Sequence, residues 1–218
     1  MQSSFSVGEC VEYGWNEFKR RPAAYVLTTF VLLVLYAGAQ FSTMYLKGVG
    51  FVLGLILGPL YWICTLAVAR KGATGAEPTL SDAFQPFTER QGDYLMVALA
   101  TAAGAILCGI GIVITSFLFI FSPLYLLEGR DFKTALIESK DLVLKHPAEI
   151  AMLAIVLFVL NLVGVIACGV GALVTTPIST LATVRAFEQL TRPGILPAVV
   201  EPPPVDPTPP VDPTPPAV

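Results

Sequence analysis

The amino-acid sequence predicts an all-α membrane protein: six transmembrane helices as three hairpins, each preceded by an interfacial amphipathic helix. Three observations carry that expectation. Of 218 residues, 55% are hydrophobic and only 13% charged, where a soluble domain has about 25% charged residues. The charges are also clustered. None occurs between Lys47 and Arg70, between Asp93 and Glu128, or between Glu149 and Arg185, and Lys47 alone interrupts the run from Arg21 to Arg70. Finally, the octapeptide CGIGIVIT at 108–115 returns as CGVGALVT at 168–175.

The first element is a polar leader over residues 1–22. Ser6 and Glu9 form the S-x-x-E pattern of a capping box. Helical spacing then puts Val7, Cys10, Val11, Gly14 and Phe18 on one face, opposite Glu9, Glu12, Asn16 and Lys19. The first apolar run starts only after Pro22, behind this charged leader. It is therefore expected to act as its own insertion signal, with no cleavable peptide.

Spans one and two are expected over residues 23–46 and 48–69, with Lys47, Gly48 and Gly50 making the reversal. Residues 94–127 as one helix would reach about 50 Å at about 1.5 Å per residue, against a hydrocarbon core of about 30 Å. Two shorter helices are predicted instead, broken at CGIG, where glycine supplies the freedom a turn needs. The block from Ile150 to Val184 repeats this length and carries CGVG at the comparable place.

Charge sets the orientation. With six spans, one side holds residues 1–22, 70–93, 128–149 and the C-terminus, and with them every one of the 13 Lys and Arg residues except Lys47. Cytoplasmic loops are the Lys/Arg-rich ones. Both termini are therefore expected on the cytoplasmic side of an inner membrane. A four-span arrangement would put Arg130, Lys133, Lys140 and Lys145 outside, against the same rule.

Two further polar segments precede the later hairpins. In TLSDAFQPFTER, Leu80, Ala83, Phe84 and Phe87 share a face, and Pro86 is expected to shorten or kink the helix. In the third, Phe132, Ala135, Leu136, Leu142 and Val143 oppose Lys133, Glu138, Lys140 and Asp141. Pro22 and Pro147 would start the spans that follow, and Pro59, Pro123 and Pro177 sit within the returning ones. The unit is an amphipathic helix, a span, a Gly-rich turn and a proline-containing span. Its threefold use predicts internal duplication. The domains are then the leader, a membrane domain over 23–190 with hairpins at about 23–69, 94–127 and 148–187, and a proline-rich tail over 191–218.

The segments FSVGECVEYGWNEFKRRP, EPTLSDAFQPF, PLYLLEGRDFKTALIESKDLVLKHP and GVGALVTTP together resemble a group of bacterial six-span membrane proteins of unknown function. That group is similar to the membrane domain fused to some glycerophosphoryl diester phosphodiesterases. The resemblance covers about residues 5–190. It implies an all-helical membrane bundle and no transferable activity, since the phosphodiesterase catalytic residues have no counterpart here.

Chemistry is sparse. Apart from cysteines and tyrosines the six expected spans hold nothing ionisable, which disfavours a proton relay or ion-coupled site. Asn161 is the strongest polar residue at depth and either hydrogen-bonds across helices, the commoner use, or meets a polar substrate group. Gln40, nearer the outer end of span one, reads as interfacial. His146 is the single histidine and lacks partners for catalysis or a metal. Cys108 and Cys168 occupy equivalent outer turns, where either a disulfide or duplication alone accounts for their placement. Cys10 and Cys64 read as packing residues.

No catalytic residue, cofactor or metal site is expected. Lys19, Arg20 and Arg21 with Trp15 fit anionic lipid headgroups, and positive-inside topology explains the same cluster. The tail from Pro193 carries VDPTPP twice in tandem. It should be a solvated polyproline-type segment, either a spacer or a ligand for a cytoplasmic protein. The net charge of −3 says nothing about nucleic acid, and with no basic stripe interleaved with aromatics no nucleic-acid partner is expected. Oligomeric state has no signal. The leading functional expectation is a non-enzymatic membrane protein acting through lipid or protein contacts. The alternative is a permease or lipid-moving transporter built from repeats, and an embedded enzyme comes last.

Overall fold

The structure, a computed structural model, describes residues 5–43, 45, 47–107, 111–166 and 170–192. The tail, Cys108, Cys168 and the cores of the CGIG and CGVG turns lie outside them, and with them the disulfide expectation. The described residues form α-helices and no strand. In chain order these are α1 (Val7–Arg20), α2 (Pro22–Thr43), α3 (Lys47–Ala73), α4 (Leu80–Glu89), α5 (Gln91–Leu107), α6 (Gly111–Leu118), α7 (Ser122–Leu127), α8 (Phe132–Lys145), α9 (Pro147–Ile166) and α10 (Ala172–Thr191).

Local chemistry explains most of the boundaries. Ser6 caps α1 by accepting from the Glu9 amide at 3.4 Å. The other half of the expected box is diverted, because the Glu9 carboxylate accepts from Gln189 at 3.4 Å. Thr79 and Asp82 make the reciprocal box of α4, and Asp131 caps α8 through the Thr134 amide and hydroxyl. Pro22 and Pro147 open α2 and α9, where a missing N–H costs nothing. Gly75 and Gly129, in the loops after α3 and α7, have φ of +82° and +88°, which glycine reaches without strain.

Among the described residues, three helices are long and apolar enough to cross a membrane: α2, the stretch Leu53–Ala73 of α3, and α9. The expectation of six spans in three hairpins is thus met at the level of an all-helical chain with three such helices. The described helices of residues 94–127 are α5, α6 and α7, none of them among these three. Pro123, expected inside a helix, instead stands in the first turn of α7, while Pro59 and Pro177 do lie within α3 and α10. α10 is long enough, but its threonines, Arg185 and Glu188 lower its hydropathy. The expected reversal at Lys47–Gly50 is already the first turn of α3. Gly50 is needed there for close approach, since a Cβ would come 1.8 Å from the Thr43 carbonyl oxygen.

α10 is the central element, with Pro177 to Phe187 buried without interruption. It packs against α1, α2, α3 and α9, while α3 also meets α4, α5 and α7. Phe187 anchors the middle through ring contacts with Phe121 at 5.7 Å and Tyr125 at 4.8 Å, each arrangement worth about 1 kcal/mol beyond burial. The polar leader helices α4 and α8 dock on the helices that directly precede them, α3 and α7, and α1 docks on α10 at the other end of the chain.

The distribution of polarity is inverted relative to a soluble globule. Thr28, Thr29, Thr65, Thr175, Ser179 and Thr183 are buried. Several return their hydroxyls to their own helix, as Thr65 does to the Trp62 carbonyl at 2.9 Å and Thr183 to Ser179 at 2.8 Å. Outside lie Leu27, Phe30, Val34 and Leu35 of α2 and Met152, Ile155, Phe158 and Val163 of α9, with Phe158 68% exposed. An apolar surface that continuous suits hydrocarbon, not water.

A candidate lipid-contact site at the charged end

The charged ends of α3, α7 and α10 converge. Arg70 reaches Glu188 and Glu128, both at 3.2 Å, and Arg192 shares Glu128 at 2.9 Å. Arg185, buried on α10, lies 4.0 Å from Glu188 and stacks its guanidinium 5.0 Å from the Tyr13 ring of α1. Burial pushes the Glu188 carboxyl above the usual carboxylate range despite Arg70, Arg185 and Arg192 around it. Charge read from sequence as a topology marker is therefore also a structural knot. A signal for it exists: Arg70 and Glu188 each stand eleven residues after a mid-helix proline, Pro59 and Pro177.

α1 docks through small residues and buried polar groups. Cys10, Gly14 and Phe18 of the expected face are buried, with Val7 and Val11 packed beside them. Glu17 is buried too, and pairs with Arg20 at 3.0 Å. Burial, the largest influence, pushes the Cys10 thiol up to about 12. Its Sγ faces the Gln189 side chain at 3.3 Å.

The expected headgroup cluster is consequently split. Arg20 is paired to Glu17, and Arg21 donates to the carbonyls of Gly75 and Ala76. Trp15 and Lys19 face outward, with the ammonium 5.6 Å from the ring centroid and Trp15 45% exposed. Asn161 donates to the Leu157 carbonyl at 2.8 Å and across to Ser179 of α10 at 2.7 Å. Gln40 donates to the Tyr36 hydroxyl at 2.9 Å, and Tyr36 packs on Tyr61 of α3 at 4.9 Å. Asn161 and Gln40 thus act at separate helix contacts and do not converge.

An outward stripe on α8 was missed by the pattern reading. Ala135, Leu142 and Val143 are buried as expected, yet Ile137 and Leu144, left off that face, are 56% and 62% exposed. With Lys133 and Lys140 they fall at 133, 137, 140 and 144, one side of the helix. On α4, Ala83 is fully buried while Leu80 and Phe84 face out. Exposed apolar residues beside lysines suit the headgroup boundary, where lysine stems lie along apolar surface and ammonium groups stay wet.

Among the described residues, two cavities border α3, α5 and α7, one of them also against α4 and the other against α6. A cleft of about 250 Å³ is lined by Arg70, Lys71, Gln85, Arg90, Tyr94 and Leu126 among others. An apolar groove of about 370 Å³ lies further along, against Pro59, Trp62, Val97, Phe119 and Pro123. Among the described residues, no three His, Cys, Asp or Glu side chains come together as metal ligands.

Fold and surface define an all-helical protein with helices able to cross a membrane and an amphipathic belt at its charged end. The chain belongs to a family described as a domain of unknown function (DUF7847), whose family model matches residues 2–211. Neither the curated proteins nor the solved structures yield a match. The family match carries no link to a phosphodiesterase and none to a bacterial source.

Proposed function

We propose that the chain is a multi-pass inner-membrane protein that acts without catalysis, through lipid or protein contacts made at its charged, cytoplasmic end. The observation that carries this reading is the pairing of exposed apolar side chains with lysines on the leader helices: Trp15 with Lys19 on α1, and Ile137 and Leu144 with Lys133 and Lys140 on α8. α8 ends at Lys145, immediately before the candidate span α9 begins at Pro147. That continuity supports placing the stripe at headgroup depth. Each cation near an anionic surface adds about 1 kcal/mol.

Six membrane-crossing segments remain part of the proposal. The positive-inside distribution supports it. So does the cyclic docking of each leader on a returning helix, α4 on α3, α8 on α7 and α1 on α10, which is the pattern three duplicated units would produce. The tail is proposed to be a cytoplasmic segment able to engage a proline-reading protein.

Trp15 offers the test. In a Trp62→Phe background it is the single remaining tryptophan of the two. Brominated phosphatidylglycerol should quench it more strongly than brominated phosphatidylcholine, and Lys19→Glu should abolish the difference. Equal quenching by both lipids would remove the support for this reading.

A second reading, a permease or lipid-moving transporter, draws on the cavities beside Pro59 and Pro123. Asn161 does not favour it, because its amide is taken up by Leu157 and Ser179.

A further inference from the structure

The cleft and the groove share one seam. On α3 the cleft residues Ala67 and Arg70 continue the face that carries Pro59 and Ile63 in the groove, because steps of three and four residues return to the same side of a helix. On α5, Tyr94 lines the cleft, and Val97 and Thr101 line the groove. On the third wall, Pro123 borders the groove and Leu126 the cleft. Ile63 to Ala67 is one helical turn, about 6 Å. The two spaces are thus stacked along the helix axes, separated by one buried layer of Ile63, Tyr94 and Leu126.

Their chemistries differ in the sense an amphiphile requires. Among the described residues the cleft is lined by three cations, Arg70, Lys71 and Arg90, and by no carboxylate. The acidic partners stand behind the lining: Asp82 is 4.0 Å from Lys71, and Asp93 is 2.6 Å from Arg90. Arg90 is further aimed by donating to the Arg130 carbonyl at 2.8 Å. The groove is apolar, and the Thr101 hydroxyl on its wall is already bonded to the Val97 carbonyl at 2.9 Å. It exists because α6 ends at Leu118 and α7 restarts at Ser122 with Pro123 in its first turn. That leaves no continuous helix to fill the space beside Pro59.

We propose that this seam binds one anionic membrane phospholipid, its phosphate held by Lys71 and Arg90 and one hydrocarbon chain lying between Pro59 and Pro123. The inference rests on the membrane placement of α3 argued above. The occupant is a lipid and not a free phosphate ester because the cationic cleft and the apolar groove stand one helical turn apart on the same helix faces. Seating both ends parts the Ile63–Tyr94–Leu126 layer. The bound lipid therefore couples the α3–α5 contact to the α7 end.

The test uses the full chain purified in mild detergent and titrated, under native mass spectrometry, with phosphatidylglycerol, phosphatidylcholine or glycerol phosphate. Wild type should prefer phosphatidylglycerol over phosphatidylcholine by about thirtyfold, the effect of two cations at an anionic headgroup. Lys71→Gln with Arg90→Gln should erase that preference while leaving the melting temperature near wild type. Val97→Trp, which fills the groove, should weaken both lipids. Lys133→Gln with Lys140→Gln, outside the seam, should keep the preference. The proposal is overturned by equal affinity of wild type for the two lipids, by an unaltered preference in the Lys71/Arg90 variant, or by full displacement of lipid by glycerol phosphate. Alkaline carbonate extraction separates the two failures. A chain extracted from membranes defeats the proposed function, whereas one that resists extraction yet shows no preference defeats only the seam.

Discussion

Gly14 of α1 lies directly against the backbone of Ile178 on α10: a Cβ at position 14 would stand 2.6 Å from the Ile178 carbonyl oxygen and 3.2 Å from the Ala182 amide nitrogen. Backbone cannot yield as a flexible side chain can, so this contact admits glycine alone. It fixes the leader helix to the most buried helix of the bundle.

Gly14→Ala should therefore loosen α1, costing about 1–3 kcal/mol as overpacking does. Cys10 reports the event. Its thiol, pushed up to about 12 by burial, stays protonated and unreactive while α1 is docked. With Cys64, Cys108 and Cys168 replaced by Ser, maleimide labelling of Cys10 near neutral pH should be slow in the parent and several-fold faster with Gly14→Ala. Equal rates would show that α1 is not held this way.

Arg70 should matter to stability more than a surface arginine does, because it joins Glu128 and Glu188 from two other helices. Arg70→Ala leaves both carboxylates partly buried without this partner, and about 2 kcal/mol is expected from such truncations. Lys145→Ala, on the exposed end of α8, serves as the comparison and should change the melting temperature little.

Glu188 makes the pH dependence testable in sign. Its native pKa is raised chiefly by burial, so the native state binds a proton that the unfolded state releases. Stability then rises as pH falls from just above the raised value toward the ordinary carboxylate range. Glu188→Gln should flatten that rise in detergent melting curves. Asp131 opposes it at lower pH. The Thr134 hydroxyl and amide hold Asp131 below its usual range, so its contribution is lost as pH falls through that lowered value. A Glu188→Gln profile parallel to wild type would contradict the assignment.

Asn161 is expected to serve packing. Asn161→Ala and Ser179→Ala should each cost about 1 kcal/mol, the usual scale for interhelical hydrogen bonds in membranes, and the double variant should cost less than their sum. Strict additivity in thermal melts would mean the 2.7 Å contact contributes nothing.

Sequence pattern revealed the features that depend on a few neighbouring residues. Pro22 and Pro147 open helices, and Cys10, Gly14 and Phe18 form the buried side of α1. It failed where a tertiary partner decides. α10 reads from sequence as the returning span of the third hairpin, but its place as the buried core is set by partners elsewhere. Thr180 and Thr183 return their hydroxyls to their own helix, while Glu188 meets Arg70 of α3 and Arg185 meets Tyr13 of α1. Ile137 and Leu144 do not stand out in sequence, because the buried face of α8 accounts for its apolar period and these two fall on the exposed side. Pro123 looked like a mid-helix proline because nothing nearby in sequence shows that the chain restarts at Ser122. The pairing of Arg70 with Glu188 joins residues far apart in the chain, and only the shared spacing from Pro59 and Pro177 hinted at it.

The most direct test of the proposed membrane arrangement is side-specific labelling of single cysteines in sealed inverted vesicles. Glu77→Cys, Ile137→Cys and Lys47→Cys are placed one at a time in a chain whose four native cysteines are replaced by Ser. The account predicts that a membrane-impermeant maleimide reaches positions 77 and 137 from the cytoplasmic face and position 47 only from the opposite one. Labelling of 77 and 137 from opposite faces would contradict it.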